Sequence, residues 1–579
     1  MPAPPARAHH DRWDRRDLRA LGLLFAALLL LVVLSWPVAE IGVHDEPAFI
    51  NLAFRVSHDW RLVYDNFMFP ISAVQGYWPA PFVRLFGESF TLVRLCFLPF
   101  AFGVIALQYW FCRKLSLDSA MSALAAATVV ACPLFLPLAT VAMTDIPTLF
   151  FSQLCLALAF AASSASERKR FLLLLSAAAV AGFLAGANRQ VFWAAPALAI
   201  PGAALCQWRK LRCWLAPALI WTAAMAAVYL LIRWHSAQPG VIMDVNAGAS
   251  SSLARFIARL WQNPFLSFHD LLRITLTLSL LCLPALLPGL ATYLTRRRLR
   301  AAAISLIALY AVHRWGLNLA PWMIDMVNQY VMLPPFTDMV GGKPETVPPI
   351  FRSALTTGVL LILAGWSVRL WDAARETPWR NRILRWPDSP AARYCFVVIP
   401  CSLAYLGALM LRFSVQQIFD RYLLPLACVA LPLLLLPLTA ERFGAWRRAG
   451  WLAVPVLGLY GLVYAHDQFA LGRARIEAGR RLIAAGIPRT CIGGGYEFDA
   501  WTQFRAQGSF GVAPQRSQIN YWFWGNAPSI WPRYVVATSP VPPLQPAPIP
   551  PVAYRVWAPP SDRQLHFLID DHVACPDLK

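Results

Sequence analysis

The run Leu21-Gly22-Leu23-Leu24-Phe25-Ala26-Ala27-Leu28-Leu29-Leu30-Leu31-Val32-Val33-Leu34-Ser35-Trp36-Pro37-Val38-Ala39 is followed, four residues on, by Val43-His44-Asp45-Glu46-Pro47. About twenty apolar residues are enough to cross the hydrocarbon of a bilayer. Here they deliver two adjacent carboxylates, Asp45 and Glu46, to its far edge. Charge is costly within a membrane span, so an acidic pair fixed at the mouth of one is a functional-site candidate. A plainer role stays open, because any helix end needs polar residues to meet water and Glu40 already stands there.

Composition widens that reading to the whole chain. Of 579 residues, 58% are hydrophobic and only 14% charged, with 24 Trp. Such a balance excludes an ordinary soluble globular protein and points to a polytopic α-helical membrane protein. The net charge of +21 would suit a nucleic-acid binder, but the basic residues fall in short clusters between apolar segments, which is a topology signal. A basic stretch (Arg7, Arg12, Arg15, Arg16, Arg19) precedes the first apolar run. That run is too long for a signal-peptide core and has no small-x-small site at its end, so no cleavage is expected.

Apolar spans are expected near 19–40, 90–112, 119–138, 146–164, 171–187, 191–206, 213–232, 271–294, 301–320, 351–370, 394–412, 422–440 and 450–466, about thirteen transmembrane helices in all. With the N-terminus cytoplasmic, the inside loops carry Arg113-Lys114, Arg168-Lys169-Arg170, Arg209-Lys210, Arg296-Arg297-Arg298, the five arginines between Arg375 and Arg393, and Arg442 to Arg448. Every dense basic cluster between spans then lies on one side, as the positive-inside rule requires. Arg473, Arg475, Arg480 and Arg481 depart from it, but long terminal domains translocate largely regardless of charge. The same count places Asp45, Glu46, Asp145, Asn188-Arg189, Arg421 and the C-terminus on the outer face. The functional candidates share a side.

Two regions follow. Residues 1–466 form the membrane domain, with long outer loops at about 44–89, 233–270 and 321–350. The first loop is rich in aromatic residues (Trp60, Tyr64, Phe67, Phe69, Tyr77, Trp78), which suits interfacial helices. The third holds Asp325, Asp338, Lys343 and Glu345 among Pro and Gly, a pattern expected of a loop over a cavity. Residues 467–579 read as a small extracytoplasmic α/β domain: a helix-like run from Asp467 to Ala485, then Thr490-Cys491-Ile492-Gly493-Gly494-Gly495-Tyr496, then β-like runs at Tyr534–Ala537 and Tyr554–Trp557. No Lys-Ser/Thr follows the triple glycine, so it reads as a tight strand turn rather than a phosphate loop. Ten of the twelve cysteines lie within or at the ends of apolar spans, where they behave as small hydrophobes. Cys491 and Cys575 alone lie in the polar C-terminal part, and outside the cytoplasm they could form a disulfide.

Four outer-face motifs stand in order: Asp45-Glu46; Phe86-Gly87-Glu88-Ser89-Phe90-Thr91-Leu92-Val93-Arg94-Leu95; Thr144-Asp145-Ile146-Pro147; and Asp420-Arg421-Tyr422-Leu423-Leu424-Pro425. The set resembles the GT-C glycosyltransferases of the protein-O-mannosyltransferase/aminoarabinose-transferase group (family 39-like), over roughly residues 20–440. The resemblance implies transfer of a sugar from a polyprenyl-phosphate donor to a lipid, glycan or protein hydroxyl, by inverting displacement, at the outer face of a bacterial cytoplasmic (inner) membrane. It implies Asp45 as general base, with Glu46 beside the acceptor and Asp145 catalytic or site-organising. Permanent, planar Arg cations suit a departing phosphate, which implies Arg94, Arg189 and Arg421, with Lys343 closing from the third loop. Glu88 and His269 could hold a divalent metal, as some relatives use one; no other cofactor is expected, and no nucleic acid.

Each candidate has a structural alternative. Asp145 before Ile146-Pro147 could simply start a helix, Arg94 could pair with a nearby acid, and Asp420–Arg421 could be a local bridge. A second class of function, a transporter or flippase of lipid-linked sugars, would need repeats, broken helices and mid-membrane charges. No repeat is visible, and the charges gather at one face.

Overall fold

The computed structural model describes residues 13–68, 70–207, 214–241, 254, 257–258, 261–262, 264–290, 296–312, 339–341, 349–376, 389–413, 418–436, 444–558 and 560–576. Among them, seven helices are long and apolar enough to cross a membrane: Arg15–Ser35, Phe90–Lys114, Asp145–Ala162, Arg168–Asn188, Leu215–Ser236, Pro390–Leu411 and Arg448–Ala484. They make the chain an integral membrane protein. Other expected spans hold shorter helices, such as Ser119–Ala131, Ala194–Cys206 and Leu424–Leu435. At 1.5 Å per residue, 13 residues reach about 20 Å, short of the ~30 Å hydrocarbon. Proline sets that limit in the first of these, because Cys132-Pro133 ends the helix and a separate turn, Phe135–Ala139, resumes after it.

The opening helix shows why the sequence folds as it does. Asp14 accepts from the backbone of Arg16 and Asp17, and the Asp17 carboxylate accepts in turn from the Asp14 amide, which completes a capping box. The other end closes on Trp36 in the left-handed conformation, ahead of Pro37. Leu23, Leu29, Leu30 and Val33 stay exposed, as lipid-facing residues must. Asp17 itself is buried and pairs with Arg113 at 3.0 Å while accepting from the Tyr109 hydroxyl at 2.6 Å, which ties the first span to the second.

Beyond the first span the chain makes the short helices Glu46–Asp59, Ala73–Tyr77 and Ala80–Phe86. Trp60, Tyr77, Trp78, Leu85 and Phe86 remain exposed along them, the surface expected at a membrane boundary.

The C-terminal part is the small α/β unit expected. Its strands are β1 (Ile492–Gly493), β2 (Tyr534–Ala537), β3 (Gln545–Pro546), β4 (Val552–Trp557) and β5 (Pro560–Ile569). β1 runs parallel to β2, while the long β5 pairs antiparallel with β2, β3 and β4. Cys491 and Cys575 are joined in a disulfide across a sequence separation of 84, with Cα atoms 5.8 Å apart. It fastens the entry of the sheet to the chain's end. Position 466, the expected domain boundary, falls inside one continuous helix, Gly444–Ala484.

That helix carries the chain from the apolar helices into the polar unit without a linker. A single buried cluster then joins Ile41, Val43, Phe49 and Leu52, which follow the first span, to Phe469, Ile492, Tyr496, Phe498 and Phe510. Val340 meets the same unit, bridging Ala537 at the end of β2 and accepting from the Thr538 amide at 3.0 Å.

Candidate functional site

The two members of the acidic pair have opposite surroundings. Glu46, the first residue of its helix, is fully buried. Its Oε1 accepts from Arg94 Nε at 2.8 Å and the Ala142 amide at 2.8 Å; its Oε2 accepts from Arg94 Nη2 at 2.6 Å and the Val43 amide at 2.9 Å. Arg94 also donates to the carbonyls of Pro37 (3.3 Å), Ala39 (2.6 Å) and Ile41. All five guanidinium N–H groups are thereby engaged. The pair clamps the loop between the first span and Asp45, and leaves Arg94 no donor for a phosphate. In this geometry Arg94 takes the alternative left open for it, a pairing with a nearby acid, and Glu46 is that acid.

Asp45, one residue earlier, sits at the helix N-cap, after His44 in the left-handed conformation (φ 53°). That kink turns the Asp45 carboxylate away from the clamp. Its side chain is 41% exposed; Oδ1 accepts from the Tyr496 hydroxyl at 3.1 Å, and Oδ2 lies 3.6 Å from Arg421 Nη2.

Asp145 begins the helix Asp145–Ala162 and is buried. Its Oδ1 accepts from Arg189 Nη1 at 2.6 Å, while Oδ2 has no hydrogen-bond partner among the described residues. Arg189 follows the span Arg168–Asn188 at a turn into the 3-10 helix Gln190–Trp193. Asn188 fixes that turn by donating to Thr148 Oγ1 at 2.9 Å. Burial works against the Arg189 charge, but Asp145 together with Tyr422 and Tyr405 outweighs it, so the guanidinium holds its proton more tightly than usual. Arg421 lies in the 3-10 helix Asp420–Leu423. Both guanidiniums stack on Tyr422, Arg189 at 4.4 Å and Arg421 at 5.7 Å from the ring centroid.

The result is a line of groups: Asp45, Arg421, Tyr422, Arg189, Asp145. A cleft of about 230 Å³ opens beside it, lined by Asp145, Arg189, Arg421, Leu149, Phe192, Tyr405, Leu424 and Pro425. Leu149, Phe192, Tyr405 and Pro425 also line a larger, mostly apolar cleft of about 430 Å³ that runs on past Leu156, Ala195 and Val429. Two cations thus stand at the polar end of an apolar channel, with carboxylates on either flank.

The remaining expectations fall elsewhere. Glu88 accepts from His58 Nε2 at 3.2 Å and Arg505 Nη2 at 2.6 Å. Burial pushes its carboxyl up, but the bonds from Arg505 and His58 pull it below the usual range. Among the described residues no group of three His, Cys, Asp or Glu could hold a metal ion. His269 belongs to the helix Pro264–Leu281, but its side chain lies outside the described residues, as does all of Lys343. Sequence reasoning gave no role to Phe192 and Tyr405, which line the cleft, or to Tyr422, whose ring meets both guanidiniums. Only Tyr422 carried a signal, as the neighbour of Arg421.

No family model matches the chain, and no curated protein matches its sequence. Two solved structures align with it, both of ArnT from Cupriavidus metallidurans. One, bound to undecaprenyl phosphate, is 12% identical with a TM-score of 0.40; the other, in the apo state, is 14% identical with a TM-score of 0.41. Each alignment covers 96% of this chain and 99% of that one. At these scores the likeness fixes neither the fold nor the chemistry, and both rest on the residues described above.

Proposed function

We propose that this chain is a membrane glycosyltransferase. Its donor is a polyprenyl-phosphate sugar and its acceptor a hydroxyl on a lipid, glycan or protein, met at the outer face of the bacterial cytoplasmic membrane. The observation that carries this reading is the junction of the two clefts. An apolar channel suits a polyprenyl tail, and Arg189 with Arg421 at its polar end suits one phosphate.

The chemistry then follows from the line of side chains. The acceptor oxygen attacks the anomeric carbon and its proton passes to Asp45. The bond from that carbon to the phosphate oxygen breaks, and its electron pair leaves with the polyprenyl phosphate, whose growing charge meets Arg421 and Arg189. Displacement in one step inverts the anomeric centre. Asp145 keeps Arg189 extended over the Tyr422 ring and is a positioning group. Glu46 and Arg94 hold the loop that presents Asp45. In this arrangement the N-terminus is cytoplasmic, the C-terminal unit is outside, and about thirteen segments, some of them helices interrupted at proline, cross the bilayer.

The test is release of free polyprenyl phosphate by the reconstituted protein, given a panel of polyprenyl-phosphate sugars with lipid and protein acceptors. Sugar-dependent release by wild type and none by Asp45→Asn supports the reading. Movement of labelled carrier across the bilayer without release would replace it with a flippase.

A further inference from the structure

The C-terminal unit reaches into the reaction centre at one point. We propose that Tyr496 is a positioning residue for Asp45: its hydroxyl holds one carboxylate oxygen, so that the reaction centre is complete only with the C-terminal unit in place. The inference rests on the functional reading above for the role of Asp45, and on geometry for everything else.

The triple glycine, read from sequence as a strand turn, builds this contact. Gly495 has φ 86°, a conformation side chains rarely adopt, and a Cβ on Gly494 would lie 2.5 Å from the Phe498 ring. The glycines let β1 turn at once into the helix Tyr496–Gln507. Both backbone groups of Gly494 are held, the carbonyl by Arg475 Nε at 3.0 Å and the amide by Asp499 Oδ1 at 2.7 Å. Asp499 is in turn fixed by the Trp524 indole at 2.8 Å. Tyr496, first in the helix, packs its ring 4.9 Å from Phe523 and 5.4 Å from Trp522.

The next residue grips the same loop from below. Glu497 accepts from the His44 amide at 3.1 Å and pairs with Arg475 at 2.6 Å, both buried. Consecutive residues of one helix therefore hold consecutive residues of the catalytic loop: Glu497 holds the backbone of His44, and Tyr496 the side chain of Asp45. Among the described residues, the charged and titratable groups on this loop or bonded to it include His44, Glu46 with Arg94, Arg421, Tyr496, and Glu497 with Arg475.

The physical need for such a hold is clear from Arg421. A carboxylate beside a guanidinium tends to close into a bidentate pair at 2.7–2.9 Å. Here the separation is 3.6 Å. A hydroxyl donor on Oδ1 holds the carboxylate against turning both oxygens onto Arg421, so that Oδ2 serves the acceptor's proton. A merely structural tyrosine has no reason to end on the exposed carboxylate of the pair.

Tyr496→Phe keeps the ring and removes the hydroxyl. We expect kcat to fall about tenfold or more, with KM for the donor within about threefold because the apolar cleft is untouched. In an Asp45→Asn background the same change should cost nothing further. A second readout needs no turnover: carbodiimide labelling of Asp45, followed by mass spectrometry, should change several-fold between wild type and Tyr496→Phe, with unaltered melting. Unchanged labelling overturns the inference, as does unchanged kcat in an enzyme that turns over. Changed labelling in a protein that transfers no sugar would sink the glycosyltransferase reading and leave the Tyr496–Asp45 contact standing.

Discussion

Two acid–arginine pairings start from adjacent acids in the chain and behave as opposites. Glu46 and Arg94 are sealed, with side chains at 0% and 1% exposure and every guanidinium donor satisfied. Asp45 and Arg421 stand 3.6 Å apart, the acid half-exposed and the arginine at the wall of a cleft. Asp145 and Arg189 lie between these extremes: close at 2.6 Å, yet with one carboxylate oxygen unpartnered among the described residues. The contrast is one of place. A charge sealed away from any cleft holds structure, and one at a cleft wall or on an exposed face can meet a substrate.

The sharpest way to break the comparison is Asp45→Asn. It should lower transfer by 10² to 10⁴-fold while leaving the melting temperature unchanged, because the amide still accepts from Tyr496. Glu46→Ala should act on stability first. Removing one partner of a buried ion pair costs roughly 3–5 kcal/mol, so the variant should melt far lower in detergent. Near-normal stability there would mean that the clamp is not one.

Next come the cations of the cleft. Arg421→Ala should cut polyprenyl-phosphate release by about 10²-fold, and Arg189→Lys by less, since the charge stays but the planar stack on Tyr422 is lost. If Arg94→Lys lowered donor affinity more than either of them at unchanged stability, the division between sealed and open arginines would be wrong.

The smallest effect sharpens the comparison within the C-terminal unit. Burial pushes the Asp499 carboxyl up to about 7, with the bonds from Trp524 and Gly494 pulling it back only in part. The folded state therefore binds a proton that the unfolded chain, with an ordinary carboxylate near 4, has already released. Stability should fall as pH rises from about 4 to about 7, by at most about 1.4 kcal/mol per pH unit from this one group. Melting followed across that range should show the slope, and Asp499→Asn should flatten it.

Much of the molecule was legible as a line of letters. Apolar runs of membrane length became helices because hydrophobic burial acts on neighbours a turn apart. Asp45, Asp145, Arg189 and Arg421 were recognisable because each stands where such a run begins or ends. Cys491 and Cys575, the two cysteines outside the apolar runs, do pair. What the letters did not show was the split within Asp45-Glu46, or that Arg94 serves the inner member. They also gave the triple glycine a turn but not a purpose.

Composition and periodicity alone determined that this protein lies in a membrane, that its polar chemistry gathers at span ends, and that a small α/β unit follows. Both are local quantities, read within a few turns of chain. The tertiary structure decided which charges are sealed and which stay open, because that depends on partners far along the sequence. Arg94 closes on Glu46 across 48 residues, and Tyr496 reaches Asp45 across 451. No local pattern records such pairings, since they exist only once packing has brought separate helices to one edge of the membrane.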